Sequence, residues 1–291
     1  MRIAVTGRSG QVVSSLLDRG LAYGHDVVAI GRPDLDLADP VTVSQSLEAA
    51  APDIVVSAAA YTAVDKAESD ADAAHSVNAT GARLVADAAR MMGVPLIHLS
   101  TDYVFDGALN RPYRETDAPA PTGVYGASKL AGERAVLETH GDNSVVLRVA
   151  WVYSPFGANF VKTMLRLAGD RDEISVVADQ IGNPTSALDI ADGILQVAAN
   201  LSASTDPSRR GIFHMTADGE ASWADLAEAI FAVAARRGGP VAQVRRISTA
   251  DFPTAACRPA NSRLDCSLIA RVHGVELPNW RPSLEAVVVR L

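Results

Sequence analysis

Arg2-Ile-Ala-Val-Thr6 running into Gly7-Arg-Ser-Gly-Gln11 decides the fold: a short apolar run enters a glycine turn, after which Val12, Val13, Leu16 and Leu17 recur at helical spacing. This order is strand, turn, helix. Glycines at such a junction let the backbone approach a pyrophosphate, whose charge meets the helix N-terminus. Gly7 and Gly10 lack the first glycine of the longer G-x-G-x-x-G fingerprint unless Thr6 is counted in its register, and Val13 stands where a third glycine is often found. The flanking pattern therefore carries the reading. Outward from the turn, strands are expected over residues 26–30, 53–57, 96–100 and 144–149, with helices over 41–50 and 73–92 and one bearing Tyr125. This alternation predicts an α/β fold, a Rossmann-type doubly wound parallel sheet. Beyond it the pattern loosens, with helices expected over 160–168, 187–199 and 224–236 and strands over 174–177 and 211–215. The expected organisation is a dinucleotide-binding Rossmann domain over 1–155 that carries the catalytic residues. A smaller C-terminal α/β substrate lobe over 156–291 follows, some of whose segments return to the Rossmann core.

Composition narrows the function. With 48% apolar residues in 291, the chain has ample material for a core. No apolar run approaches the roughly 18 residues of a membrane span, and no signal-like region opens the chain, so a cytoplasmic protein is expected. A net charge of −8 argues against a nucleic-acid partner bound through many phosphates. Cys257 and Cys266 fit neither a disulfide framework nor a zinc site, the six histidines are scattered, and no metal is expected.

Tyr125 and Lys129, in Val124-Tyr-Gly-Ala-Ser-Lys-Leu130, lie four residues apart and so on one helix face. An ammonium beside a phenol favours phenolate, and such a phenol exchanges a proton with a carbonyl oxygen near neutral pH. The chemistry is that of a ketone reductase. Ser100-Thr101-Asp102 ends the fourth strand, where the ligand crevice of such a sheet opens. Thr101 is the candidate second donor to a carbonyl oxygen on which charge builds during hydride transfer, and Lys129 would also hold the nicotinamide ribose. Gly31-Arg32 closes the second strand in place of an acidic residue, and an arginine there suits a 2′-phosphate. NADPH is expected, with NADH possible. Asp36 and Leu37 would border the adenine, and Ala58, Ala59 and Ala60 leave room for the cofactor's flat surfaces. The polar, proline-bearing residues 106–123 read as a loop over the site.

Gly7-Arg-Ser-Gly-Gln11, Ala58-Ala-Ala-Tyr-Thr62, Ser100-Thr-Asp-Tyr-Val-Phe-Asp106, Val124-Tyr-Gly-Ala-Ser-Lys-Leu-Ala-Gly-Glu133 and Arg148-Val-Ala-Trp-Val-Tyr153 occur in order. Together with Asp179-Gln-Ile-Gly-Asn-Pro-Thr185 and Arg258-Pro-Ala-Asn-Ser-Arg-Leu264 they resemble the dTDP-4-dehydrorhamnose reductases of the extended short-chain dehydrogenase/reductase superfamily. The resemblance implies NADPH-dependent reduction of the C4 ketone of dTDP-4-dehydro-β-L-rhamnose to dTDP-L-rhamnose, with Thr101, Tyr125 and Lys129 catalytic. It implies cofactor contacts at Gly7, Ser9, Gly10, Gln11, Val12, Arg32, Asp36, Leu37, Ala58, Ala59, Ala60, Tyr61, Ser100, Tyr125 and Lys129. It further implies substrate contacts at Thr101, Asp102, Val104, Tyr125, Trp151, Asn183 and Arg258, the indole of Trp151 offering an apolar plane to a hexose face and Arg258 meeting the diphosphate. Some members join subunits through a magnesium ion held by glutamates. Ser15 and Leu188 stand at two such positions, which leaves monomer and homodimer both open.

Two other readings share these residues. One is a related nucleotide-sugar epimerase or dehydratase, although the dehydratases place a Glu after the Thr-Asp pair and here Tyr103 follows Asp102. The other is a non-catalytic subunit resembling the regulatory partner of methionine adenosyltransferase, which has no need to keep Thr, Tyr and Lys together.

Overall fold

The computed structural model describes all 291 residues. The strands are β1 (Arg2–Thr6), β2 (Asp26–Ile30), β3 (Ile54–Ser57), β4 (Leu96–Thr101), β5 (Ser144–Val149), β6 (Glu173–Val177), β7 (Gly211–His214) and β8 (Gln243–Ile247). The principal helices are α1 (Gln11–Ala22), α2 (Pro40–Ala50), α3 (Ala82–Met92), α4 (Val124–His140), α5 (Phe160–Ala168), α6 (Ala187–Ala203), α7 (Trp223–Ala235), α8 (Ser267–His273) and α9 (Trp280–Val289). Six strands form one sheet in the order β7-β5-β4-β3-β1-β2, and every pairing is parallel. The chain moves from β1 outward to β2 and then back across to β3. Strand order therefore reverses beside β1, which is where a doubly wound sheet binds its ligand.

Burial on both faces explains why the strands read as apolar runs: Ile54, Val55, Val56, Leu96, Ile97 and Leu147 are all inaccessible. One core cluster packs α1 and α6 on one face, and a second packs α2 and α3 on the other. The expected helix over 73–92 is interrupted by a π turn at Ser76–Gly81, which carries the buried Asn78, bonded to the Tyr61 backbone and to Ser128 Oγ. Elsewhere the sequence boundaries hold closely, and α5 coincides with its predicted span.

A third cluster, with Tyr153, Val161, Ile174, Leu226, Ile230, Phe231, Trp280 and Leu284, forms the core of a separate lobe built from α5, β6, α7, β8 and α9. Between its parts, α6 and β7 return to the main sheet. Two small ladders cross the boundary region: Val152–Tyr153 pairs with Thr185–Ser186, and Ile181–Gly182 with Ala221–Ser222. No helix is long and apolar enough to cross a membrane.

Candidate active site

The turn after β1 is shaped to receive an anion. Gly7 has φ +105, a conformation that L side chains rarely adopt, and a Cβ there would meet Val13 at 3.2 Å. Val13, in place of a third glycine, is therefore a wall of the turn rather than a gap in it. α1 begins at N-cap Gly10 with no side-chain cap and no acidic residue in its first turn, so its N–H groups are free for phosphate oxygens. Thr6 Oγ1 accepts from the Ala58 and Ala59 amides, both at 3.0 Å, and so fastens the end of β3 beside this turn. Gln11 bridges to the strap that follows β5, accepting from Ser154 Oγ at 3.0 Å and donating to the Val152 carbonyl at 3.2 Å.

A cleft of about 710 Å³ runs from this turn to the end of β4. It brings together Gly7, Ser9, Gly10, Gln11, Val12, Ala58, Ala59, Ala60, Ser100, Thr101, Asp102, Tyr125, Lys129 and Trp151 from the expected sets. α4 presses close because Gly126 has no side chain; a Cβ there would lie 2.1 Å from the Tyr103 carbonyl oxygen. That approach sets Tyr125 beside Thr101, with its ring edge-on to Tyr103 at 5.7 Å. Thr101 Oγ1 donates to Asp102 Oδ1 at 2.9 Å, whereas Asp102 Oδ2 is buried without a partner. Burial pushes the Asp102 carboxyl up to about 6, against the hydrogen bond from Thr101.

The Tyr125–Lys129 pair differs from expectation in its electrostatics. Lys129 Nζ points at the Leu99 carbonyl, 2.6 Å away, with His98 Nε2 at 3.5 Å. An ammonium has only donors, so His98 accepts through Nε2 and its other nitrogen faces Ser57 Oγ at 3.1 Å. Burial lowers the Lys129 ammonium to about 8, offset in part by Glu133, and burial followed by the Asp102 charge raises the Tyr125 phenol to about 12. The phenol is thus held neutral. It is a proton donor, the state that ketone reduction requires, and not a resting phenolate.

Several expected contacts lie outside the cleft. Val104 is fully buried, packed with Phe105 and Tyr113, because the 3-10 turn Asp102–Val104 folds its side chain into the core. Leu37 is buried against Gly81 of the π turn, and Asp36 accepts from the Ala38 amide at 3.0 Å and stands 3.4 Å from Arg32. The Arg32 side chain is 72% exposed, so it is free to swing. Tyr61 donates to Asp70 Oδ2 at 3.1 Å while Asn78 clamps its backbone. Asn183 lines a different hollow, of about 530 Å³. Its amide donates to the Gly219 carbonyl at 2.7 Å and accepts from the Leu264 amide at 3.0 Å, and so ties two loops together. Arg258 is paired with Asp65 at 2.7 Å. One face of Trp151 is covered by Trp223, and the stacked pair lines the cleft. Neither Ser15, which is inaccessible, nor Leu188, which packs on the lobe core, presents a group for a metal.

Among the cleft residues that the sequence reading did not assign to the site, Arg8 and Trp223 stand out. Arg8 lines the cleft, bonded to the Gly31 carbonyl at 3.1 Å and paired with Asp34. Its place inside the turn motif was the available signal. Trp223 enters from the lobe, and nothing in its local sequence announces this.

The whole chain, residues 1–291, matches the family model described as the RmlD substrate binding domain. It is 50% identical over 288 residues to the dTDP-4-dehydrorhamnose reductase of Sinorhizobium fredii, covering 99% of this chain and 97% of that one. Among solved structures, the dTDP-4-dehydrorhamnose reductase of Bacillus anthracis in complex with NADP superposes with a TM-score of 0.91 at 37% identity, covering 100% of this chain and 99% of that one. The Clostridium acetobutylicum counterpart also gives 0.91, at 35% identity and 99% coverage of both chains. The glycine cradle, the uncapped helix and the Thr-Tyr-Lys cleft thus occur in a chain that belongs, over its full length, to the dTDP-4-dehydrorhamnose reductase family.

Proposed function

We propose that the protein reduces the C4 ketone of dTDP-4-dehydro-β-L-rhamnose to dTDP-L-rhamnose with NADPH. The observation that carries this reading is the neutral Tyr125 phenol set beside Thr101 in a cleft that leads from an anion-binding glycine turn. When bound, the reduced nicotinamide supplies a hydride to C4. Gly7, Ser9, Gly10 and Val12 would hold the pyrophosphate on the N-terminus of α1, and Lys129 the ribose. Tyr125 gives its proton to the carbonyl oxygen, and Thr101 donates a second hydrogen bond to that oxygen once Asp102 Oδ1 releases its hydroxyl. Residues 1–155 would then serve the dinucleotide and the chemistry, and most of 156–291 the sugar nucleotide, with α6 and β7 completing the sheet. The protein works in the cytoplasm, as a monomer or homodimer without a metal link; Ser15, inaccessible, and Leu188, partly buried on the lobe core, offer no carboxylate to a metal, which supports the latter point.

Following NADPH absorbance with enzymatically generated dTDP-4-dehydrorhamnose tests the reading directly. Oxidation that depends on this ketone, and is absent with dTDP-4-dehydroglucose, is the expected result. Silence with coenzyme binding intact would move the weight to a non-catalytic role.

The coenzyme assignment has its own test. Arg32→Ala should raise KM for NADPH about tenfold, the scale of one charge-assisted bond, and leave KM for NADH unchanged. An equal effect on both coenzymes would remove the 2′-phosphate from the account.

The pH profile follows from Lys129. Activity requires the ammonium, whose pKa in the free protein is lowered to about 8. As pH rises through about 8 the proton is lost, so kcat/KM should fall on the alkaline side with a midpoint near there. The Tyr125 phenol, at about 12, stays protonated throughout. A profile flat to pH 10 would contradict the role given to Lys129.

A further inference from the structure

Trp223 opens α7, and its indole lies flat on that of Trp151, with ring centroids 3.6 Å apart and 6° between planes. Phe160 leans on the same ring at 4.8 Å. Trp151 is fixed from its own side as well. Its Nε1 donates to Ser262 Oγ at 3.0 Å, and Gly182 leaves room for it, since a Cβ there would come within 2.5 Å of the indole. The backbone of Trp151 sits at φ +47, a strained conformation for a bulky residue, and such strain persists where the surroundings over-determine it. Residues of the lobe supply that constraint. Both indoles line the cleft with Thr101 and Tyr125, whereas the third tryptophan, Trp280, is buried in the lobe core.

The cleft lining is therefore of two chemical kinds. Thr101 and Tyr125 bring hydroxyl groups, with the Asp102 carboxyl behind them bonded to Thr101. Trp151 and Trp223 bring two stacked indoles. In the ketone proposed above, C4 lies between C3, which bears a hydroxyl, and C5, which bears a methyl. The hydroxyl-bearing part of the lining is matched to the hydroxyl and an aromatic wall to the methyl. We propose that Trp223 is a specificity-determining residue for the sugar: with Trp151 it forms the wall that receives the methyl-bearing edge of a 6-deoxyhexose. This rests on the reductase reading. Because Trp223 belongs to the lobe, sugar recognition then needs the lobe packed against the sheet domain.

Calorimetric titration of the full-length protein with dTDP-L-rhamnose and with dTDP alone, for wild type, Trp223→Ala and Trp223→Phe, tests the proposal. Trp223→Ala should bind dTDP-L-rhamnose about tenfold more weakly and dTDP unchanged, while Trp223→Phe stays within about threefold of wild type for both. In turnover, KM for the ketone should rise in the Ala variant with kcat held within a few-fold. Unchanged affinity for dTDP-L-rhamnose in Trp223→Ala would overturn the proposal. So would an equal loss for dTDP, since Trp223 would then support the lobe or the nucleotide. Should the Ala variant not fold, the Phe variant decides by the same comparison: a larger loss for dTDP-L-rhamnose than for dTDP upholds a sugar contact of reduced area, and equal losses overturn it. A wild type that binds dTDP no less tightly than dTDP-L-rhamnose, with no ketone reduction, would bring down the reductase reading and this inference with it.

Discussion

Tyr125→Phe should cut turnover of the sugar ketone by about 10²-fold or more while coenzyme affinity stays within about threefold, because the phenolic proton is the group removed and the ring is kept. The argument rests on the state of the phenol. Burial and the neighbouring Asp102 charge hold it up at about 12, so across the working pH range it has a proton to give, and water has no equally placed substitute. Thr101, already hydrogen-bonded to Asp102 Oδ1 at 2.9 Å, can stabilise the developing alkoxide but supplies no net proton at neutral pH. Stopped-flow measurement with saturating NADPH separates the chemical step from product release. A variant that turns over like wild type would take Tyr125 out of the mechanism and leave Asp102, whose carboxyl sits at about 6, as the remaining acid in the cleft.

What the sequence made legible followed the range over which its signals act. The strands of the main sheet are continuous apolar runs because both faces are covered, and that pattern survives without tertiary knowledge. The same holds for the site residues that close strands β1, β3 and β4 or open helices α1 and α4, since a doubly wound sheet delivers those ends to one crevice. Local reading failed where placement is decided by distant partners. β8, Gln243–Ile247, contains Arg245 and Arg246 in succession and becomes a strand by pairing in parallel with β6. Leu37, in a loop beside Asp36, and Val104, closing the 3-10 turn after β4, both have their side chains claimed by the core. Asn183 and Arg258 carry suitable chemistry, and in this structure they are engaged with Gly219, Leu264 and Asp65, partners that local sequence does not reveal. Lys129 shows the limit most clearly. Its spacing from Tyr125 fixes the helix face, whereas the burial that lowers its pKa and its hydrogen bond to the Leu99 carbonyl depend on packing against a strand thirty residues earlier.

Arg148→Met should destabilise the fold by about 3–5 kcal/mol, the cost of leaving one partner of a buried ion pair alone. Arg148 on β5 and Glu133 on α4 are each 1% exposed, with a two-pronged contact of 2.9 Å and 2.6 Å. Ser100 Oγ donates to the same carboxylate at 2.5 Å, and the Phe105 ring lies 5.0 Å from the guanidinium. The pair therefore sits directly beneath the catalytic end of β4. Removing both charges in Arg148→Met/Glu133→Leu should recover most of the loss, because the expense lies in the unpaired charge and not in the missing attraction. Activity supplies a second readout with a definite sign. Glu133 stands one helical turn from Lys129 and raises its pKa. An Arg148→Met protein examined well below its melting temperature keeps that carboxylate uncompensated, so its alkaline limb should move to higher pH, whereas Glu133→Gln should move the limb to lower pH. Denaturant melts and kcat/KM profiles on the same three variants check both claims. Limbs that shift in the same direction would show that the pair acts on Lys129 only through packing, and a double variant no more stable than Arg148→Met would show that the ion pair itself, rather than the orphaned carboxylate, carries the stability.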